Sequence, residues 1–517
     1  MIEPTILVGP PGTGKTTTLL DTVNIEMERG IPPDRIGFMT FTKRGVEEAI
    51  GRASVRFNLQ RNKFRYFNTL HSAAFRHLGL SSDQVFTGKK IREFGQEIGL
   101  ELYNGISSDD GTYGSFYGDD AILFLENLAR ITRTPLEAVL NDYDFMVPDT
   151  ERAARVIKQI REHKLKEGLY DFTDMIEEFI RQDDAPMLDV LIVDEAQDLS
   201  ELQWLMVTLL SRHVKRMYVA GDDDQTIFTW AGASERFISM PGKVETLKQS
   251  FRVPVSVQML ALRIIEQINS RRHKIWKARD AEGSVSIIED VSRLNPLVRG
   301  DRNTMLLGRT VKMIRSKFVP YCRTNGLPFR YFEYSSIKQT HAEAITAWND
   351  LQEGSAVPAN IVTRIYDLLP SEGHKQKKGL VKRGYKAQLN RIAEQEDPPM
   401  LRLQELKNDY GLLAEGSWNE VFTEIDAQDV TYIQKVLDNG FDITANPKIH
   451  ISTIHRVKGS QADLVVLLSD TAKAADKYLT ENQDEETRVL YTGITRTFED
   501  LVIVQPYTRY HYGRLFD

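Results

Sequence analysis

From residue 4 to about residue 78, short apolar runs alternate with stretches of helical periodicity. Ile6-Leu7-Val8 and Ile36-Gly37-Phe38-Met39-Thr40-Phe41 read as strands, and the run from Val46 as an amphipathic helix. Short apolar runs separated by helical patterns predict βα units around a parallel sheet. Residues 81–187 break the alternation: they are polar and helix-rich, and 104–120, rich in Gly, Ser, Asp and Tyr, reads as a flexible loop. The βα pattern resumes at Val190–Val193 and Arg216–Ala220. A second α/β unit is expected from near residue 255, with strands at Val285–Ile288, Thr304–Leu307 and Phe329–Phe332. It is interrupted by a mostly helical stretch, 336–446, and completed by strands at Ile449–Ile451, Leu464–Leu468 and Leu501–Val504. The expected organisation is α/β, with two parallel-sheet domains (1–80 with 188–254, and 255–335 with 447–517). Each carries a mainly helical insertion, 81–187 in the first and 336–446 in the second.

With 517 residues, the chain is too long for one core, which fits that division. Hydrophobic residues at 41% and charged residues at 27% place it among soluble globular proteins, and no run is long enough to span a bilayer. The sequence begins directly with a strand, so no signal peptide is visible. The single cysteine, Cys322, excludes a disulfide framework or a four-cysteine metal site within this chain and reads as a buried small hydrophobe. The setting expected is cytoplasmic, in a bacterium or an infected host cell. A net charge of −7 argues against coating nucleic acid by bulk attraction, but leaves room for a local groove of a few cations and aromatic faces.

The chemistry begins at Gly9-Pro10-Pro11-Gly12-Thr13-Gly14-Lys15-Thr16, a G-x-x-x-x-G-K-[ST] loop between a strand and a helix. Its backbone N–H groups can turn toward phosphate oxygens, with the helix N-terminus adding partial positive charge. Lys15 is expected on the β- and γ-phosphates and Thr16 on Mg²⁺, with Thr17 beside them. The apolar strand Val190–Val193 ends in Asp194 and Glu195. Asp194 is the expected Mg²⁺ residue, and Glu195 is placed to orient and deprotonate an attacking water.

Asp194-Glu195-Ala196-Gln197-Asp198 resembles the DEAQD box of superfamily 1 helicases of the UvrD/Rep/PcrA branch. Further stretches resemble that family's other motifs, in family order: Thr40-Phe41-Thr42, Thr69-Leu70-His71-Ser72, Gly221–Ala233, Leu247–Arg252, Ser452–Gly459 and Tyr491–Arg496. The resemblance implies two RecA-like domains and an ATP-driven DNA helicase or single-strand translocase, with 3′→5′ polarity. It implies that Gln225 senses the γ-phosphate, that Arg252 and Arg496 are arginine fingers, and that Phe251 stacks on the base. Gln461 stands where a glutamate usually meets the ribose. For a single DNA strand it implies contacts from Phe41, Thr42, Thr69, His71, Trp230, Thr453, His455 and Lys458, with Thr40 and Ser72 offering further hydroxyls. Trp204, Trp276, Trp348 and Trp418 are expected to pack, Asp484-Glu485-Glu486 to form an exposed loop, and the basic run 375–383 to be a solvated face.

The chain departs from the family pattern in three places. Only eight residues precede Gly9, so looser selection for adenine is expected. Ala231 follows Trp230 where an arginine is common, and Gln461 replaces the usual glutamate. A compact, phage-encoded, monomeric member is expected, acting on single-stranded DNA and on junctions of single and double strands, with a replication or recombination protein as partner. Two alternatives stay open: a DNA-dependent ATPase that remodels protein–DNA complexes without unwinding, and an RNA helicase of the same superfamily.

Overall fold

Parallel strands covered on both faces need apolar side chains on both, and the central strands here have them: Val190–Val193 is buried throughout, as is nearly all of Ala462–Leu468. The computed structural model describes residues 2–41, 43–102, 118–143, 145–294, 298, 302–372, 379–471 and 483–516. The first sheet comprises β1 (Thr5–Val8), β2 (Ile36–Thr40), β3 (Phe67–Thr69), β4 (Val190–Val193), β5 (Arg216–Gly221) and β6 (Lys243–Thr246). Its order is β3-β2-β4-β5-β1-β6, and every pair is parallel. The second sheet uses β7 (Ser284–Ile288), β8 (Thr304–Gly308), β9 (Phe329–Tyr331) and β10 (Tyr334–Ser335). After the small pair β11 (Val357–Pro358) and β12 (Met400–Leu401), it is completed by β13 (Ile449–Thr453), β14 (Ala462–Leu468) and β15 (Thr497–Val504). Its order is β10-β9-β13-β8-β14-β15-β7, parallel except at the β9–β10 edge.

The two helical stretches behave differently. In the first, the helices Lys89–Glu97, Asp120–Thr132 and Thr150–Glu167 close around their own apolar cluster, including Phe94, Leu125 and Ile157. The helix Phe172–Gln182, within the same expected insertion, instead sends Met175, Ile176 and Phe179 into the core of the first sheet beside Leu191 and Trp204. A buried ionic knot joins the two parts: Arg130 meets Asp171, Asp174 and Glu177, and Lys164 meets Asp171 and Asp174. In the second stretch, Trp348, Ile365 and Trp418 share one continuous core with Leu306, Leu464 and Val466 of the second sheet.

Trp204, Trp276, Trp348 and Trp418 are all buried, as is Cys322, whose thiol burial pushes above its usual range. No helix among the described residues is long and apolar enough to cross a membrane. Most of the polar stretch 104–120 and residues 375–378 of the basic run lie outside the described residues.

The acidic run is a correction. Asp484, Glu485 and Glu486 form the first turn of the helix Gln483–Ile494, and Glu485 and Glu486 are buried. Glu486 accepts from Arg309 Nε and Nη2, the latter at 2.7 Å, and from the Tyr512 hydroxyl at 2.8 Å. Sequence proximity suggested a solvated loop, whereas tertiary pairing made burial tolerable. Glu486→Ala strands the Arg309 guanidinium and is expected to destabilise the fold by about 3–5 kcal/mol, read as an earlier urea unfolding midpoint. A midpoint unchanged from wild type would rule out that pairing as a structural anchor.

Candidate active site

The glycine loop turns directly off β1. Gly9 N–H donates to the Gly221 carbonyl at 2.9 Å, which ties the loop to the end of β5. Gly12 and Gly14 have φ of 72° and 80°, a region that L side chains avoid. Gly14 is the N-cap of α1 (Lys15–Glu28), so the first free amides of that helix line the loop. Lys15 Nζ donates to the Gly9 carbonyl at 2.8 Å, and Thr13 Oγ1 to the Pro10 carbonyl at 2.8 Å. Thr17 is exposed and its hydroxyl accepts from Arg52 at 3.2 Å.

The end of β4 meets this loop two strands away in the sheet. Thr16 Oγ1 donates to Asp194 Oδ2 at 3.0 Å. Burial first, then the charge of Glu195, raises the Asp194 carboxyl to about 6, against the pull of Lys15. Glu195 sits at φ 52°, an uncommon conformation for a non-glycine residue and one that clusters at functional sites. Burial pushes its carboxyl up, but Lys15, Lys458 and Arg496 together with a hydrogen bond from Gln197 hold it below the usual range. Gln197 Nε2 donates to Glu195 Oε2 at 2.6 Å, while its Oε1 accepts from Asp222 N–H at 3.0 Å. Glu195 therefore stays ionised and aimed.

Cations approach from the other side. Ser250 Oγ donates to the Pro11 carbonyl at 2.7 Å, and Phe251 N–H to the Gly12 carbonyl at 2.8 Å, clamping the segment before Arg252 against the loop. A Cβ on Gly12 would lie 2.4 Å from Arg252 Cβ, so this contact needs glycine. Arg252 Nε donates to Gln461 Oε1 at 3.0 Å. Arg496, 1% exposed at the end of the helix Gln483–Ile494, donates to Gln225 Oε1 at 2.5 Å. Burial lowers Arg252 to about 10; burial and the nearby Arg252 charge lower Arg496 to about 9. Both remain cationic at neutral pH. Two guanidiniums and an ammonium, Arg496 buried and Arg252 and Lys15 half-buried, line one cleft, a site that an anion of several charges would relieve. Phe251 is exposed at the mouth, beside Gly14. The cleft they line has a volume of about 1040 Å³, room enough for a nucleoside triphosphate.

A row of rings, three of which line this same cleft, continues from it. Phe41 stacks on Phe228 at 5.8 Å, Phe228 lies 5.9 Å from His455, and His455 meets Trp230 edge-on at 6.1 Å. Phe41, Phe228 and Trp230 come from the C-terminal edge of the first sheet and His455 from the end of β13, so the row bridges the two sheets. Phe41 and Trp230 are half-buried. Burial, Arg309 and Lys458 hold His455 neutral, well below its usual range. Phe228 was not singled out in the sequence as a ring of this row.

Several expected nucleic-acid contacts are engaged elsewhere. Thr69 is 1% exposed; its hydroxyl accepts from Ser72 N–H at 3.1 Å and donates to the Ser72 hydroxyl, capping the helix Leu70–His77. His71 is buried edge-on to Phe172, and Thr40 and Thr453 are buried at the ends of β2 and β13. The Lys458 ammonium pairs with Asp198 and donates to the Gln225 carbonyl at 2.7 Å. It ties the segment after β13 to the nucleotide cleft. Thr42 lies outside the described residues. Gln197, Asp198 and Asp222 were legible only as letters of the quoted motifs; their roles emerge from the hydrogen bonds.

Residues 2–243 match the UvrD/REP helicase N-terminal domain family, and residues 448–504 match the UvrD-like helicase C-terminal domain. A probable DNA helicase II homolog of Rickettsia felis is 22% identical over 98% of this chain and 90% of its own length. The ATP-dependent DNA helicase PcrA of Staphylococcus epidermidis is 22% identical over 55% of this chain and 41% of its own. The ATP-dependent DNA helicase srs2 of Schizosaccharomyces pombe is 24% identical over 53% of this chain and 34% of its own.

Proposed function

The chain belongs to the UvrD-like helicases of superfamily 1, and on that premise we propose that this ATP-dependent DNA helicase moves 3′→5′ along one strand by closing two RecA-like domains on ATP. The observation that carries the reading is a cleft drawn from both sheets. Lys15, Asp194 and Glu195 come from the first and Arg496 from the second, already in contact with Gln225 of the first. We assign the first domain to 1–80 and 188–254 and the second to 255–335 and 447–517. Residues 81–187, whose last helix packs into the core of the first sheet, and 336–446 are their helical additions.

In this reading Gly9, Pro10, Pro11, Gly12, Thr13, Gly14 and Thr17 cradle the phosphates through loop amides and hydroxyls. Lys15, Arg252 and Arg496 balance charge on the transferring phosphoryl oxygens, and Glu195 accepts the proton of the attacking water. Thr16 and Asp194 would hold Mg²⁺; their 3.0 Å contact and the burial-raised carboxyl of Asp194 fit a divalent cation. Held there, such an ion would supply positive charge against the negative charge of the phosphates. Phe251 stacks on the base and Gln461 reaches the ribose. Phe41, Phe228 and Trp230 offer ring faces to unpaired bases, a sequence-tolerant mode of single-strand binding. Loss of the γ-phosphate removes the anion that Lys15, Arg252 and Arg496 share, and Lys458, bound to Asp198 and the Gln225 carbonyl, carries the change to His455 and the ring row.

The deciding measurement is unwinding of partial duplexes with 3′ or 5′ tails, in DNA and RNA versions, with Lys15→Ala as control. Unwinding of 3′-tailed DNA is expected, and none by Lys15→Ala. Activity confined to 5′ tails would overturn the polarity. Strand-stimulated hydrolysis without unwinding would favour a remodelling ATPase, and preference for the RNA duplexes would favour the RNA-directed reading.

A further inference from the structure

Between the helix Val255–Ile265 and β7, the chain lies back against the first sheet. Lys277 N–H donates to the Lys248 carbonyl at 2.6 Å, and Arg272 Nη2 to the Phe237 carbonyl at 2.9 Å. Within this connecting segment the side chain of Lys274 is 1% exposed. It donates to Asp222 Oδ1 at 2.9 Å and Asp223 Oδ1 at 2.6 Å, and lies 2.9 Å from Asp224 Oδ2. Arg271 grips Asp224 at 2.9 and 2.7 Å.

The second oxygen of Asp222 accepts from Gln225 Nε2 at 2.6 Å. A carboxylate can only accept, so the amide nitrogen of Gln225 must face it. That leaves Gln225 Oε1 turned toward the cleft, where it receives Arg496 Nη2. We propose that Lys274 is a positioning residue for ATP hydrolysis: by keeping Asp222 an acceptor, it fixes the amide of Gln225 and, through it, the Arg496 guanidinium. The inference rests on the reading of Gln225 and Arg496 as parts of the hydrolytic site. It also makes the segment joining the two sheets part of the catalytic alignment.

Asp222 faces Lys274, Lys15, Tyr491 and Arg496, with Asp223 and Asp224 beside it. Burial raises its carboxyl, but Lys274 and Lys15 hold it below the usual range. Without Lys274, burial and the neighbouring carboxylates favour the protonated acid. A protonated Asp222 donates, the Gln225 amide turns over, and its NH₂ then opposes Arg496. Raising the pH restores the carboxylate and with it the original orientation.

The test is steady-state ATP turnover of the full chain with saturating single-stranded DNA, between roughly pH 6 and pH 9. Lys274→Met is expected to lower kcat at neutral pH by about tenfold or more, with KM for ATP within about threefold. Its kcat recovers as the pH rises. Asp222→Asn, a near-isosteric second variant, is expected to lose kcat similarly but without recovery, having no carboxylate to ionise. Adding Lys274→Met to Gln225→Ala should cost nothing further. A Lys274→Met loss that is independent of pH, or fully additive with Gln225→Ala, would overturn the positioning role. If Lys274→Met does not fold, Asp222→Asn decides alone: wild-type kcat in that variant overturns the proposal. Wild-type turnover by Gln225→Ala would instead bring down the underlying site reading. A collapse with Gln225→Ala beside an unaffected Lys274→Met would remove only the role of Lys274.

Discussion

Replacing Arg496 with alanine is expected to lower DNA-stimulated ATP turnover by about 10³–10⁵-fold while leaving nucleotide binding largely intact. The guanidinium is 1% exposed and held by the Thr492 carbonyl at 2.9 Å and Gln225 Oε1 at 2.5 Å. Those contacts fix it before any charge develops, so little reorganisation is needed when a phosphoryl group begins to transfer. Burial with a second guanidinium nearby lowers it to about 9, yet it stays charged at pH 7. Arg496→Lys is expected to recover little, because an ammonium lacks the planar fork that meets Gln225 and a phosphoryl oxygen together. Single-turnover hydrolysis and equilibrium binding of a fluorescent ATP analogue separate the two effects. Turnover within tenfold of wild type would remove Arg496 from the hydrolytic site.

Glu195→Gln is the second large effect, an expected kcat loss of about 10²–10⁴-fold, the range for a lost general base. The substitution preserves shape, and the new amide oxygen can still accept from Gln197 Nε2, now at 2.6 Å from Glu195 Oε2. What disappears is the charge that takes the water's proton. The wild-type carboxyl lies below its usual range, so the base form is complete at neutral pH and is lost only as the pH falls through that lowered value. Removing the charge also relieves Asp194, whose carboxyl the Glu195 charge helps to raise to about 6, so ATP affinity is expected to hold or tighten. Undiminished hydrolysis would falsify the assignment of Glu195 as the base.

The phosphate loop was legible because its geometry is written in consecutive residues: positive φ at Gly12 and Gly14, then a helix starting at Lys15. The buried strands were legible for a similar reason, since a parallel strand covered on both faces must be apolar along its length. The partners of the loop were legible only through family resemblance. Nothing local marks Arg252 or Arg496 as different from a surface arginine. The nucleic-acid side was less legible still, because a threonine or histidine in a motif can serve the fold: Thr69 caps a helix and His71 packs against Phe172.

By itself the sequence determined the α/β class, the phosphate loop, the carboxylates that face it and the order of the motifs. Each depends on neighbours in the chain or on an ordered set of short stretches. The tertiary structure alone decided which charges are buried and which partners they take. Glu486, in an acidic run, looks solvated in sequence and Lys274 carries no mark there, yet one holds Arg309 and the other three aspartates. It also decided that the helix Phe172–Gln182 belongs to the core of the first sheet, and that the Lys458 ammonium takes Asp198 and the Gln225 carbonyl as its partners. The physical reason is common to all four. Whether a charge or an apolar face can be buried depends on what stands opposite it, and for Glu486, Lys274 and Lys458 that partner lies 50 or more residues away, beyond the reach of any local pattern.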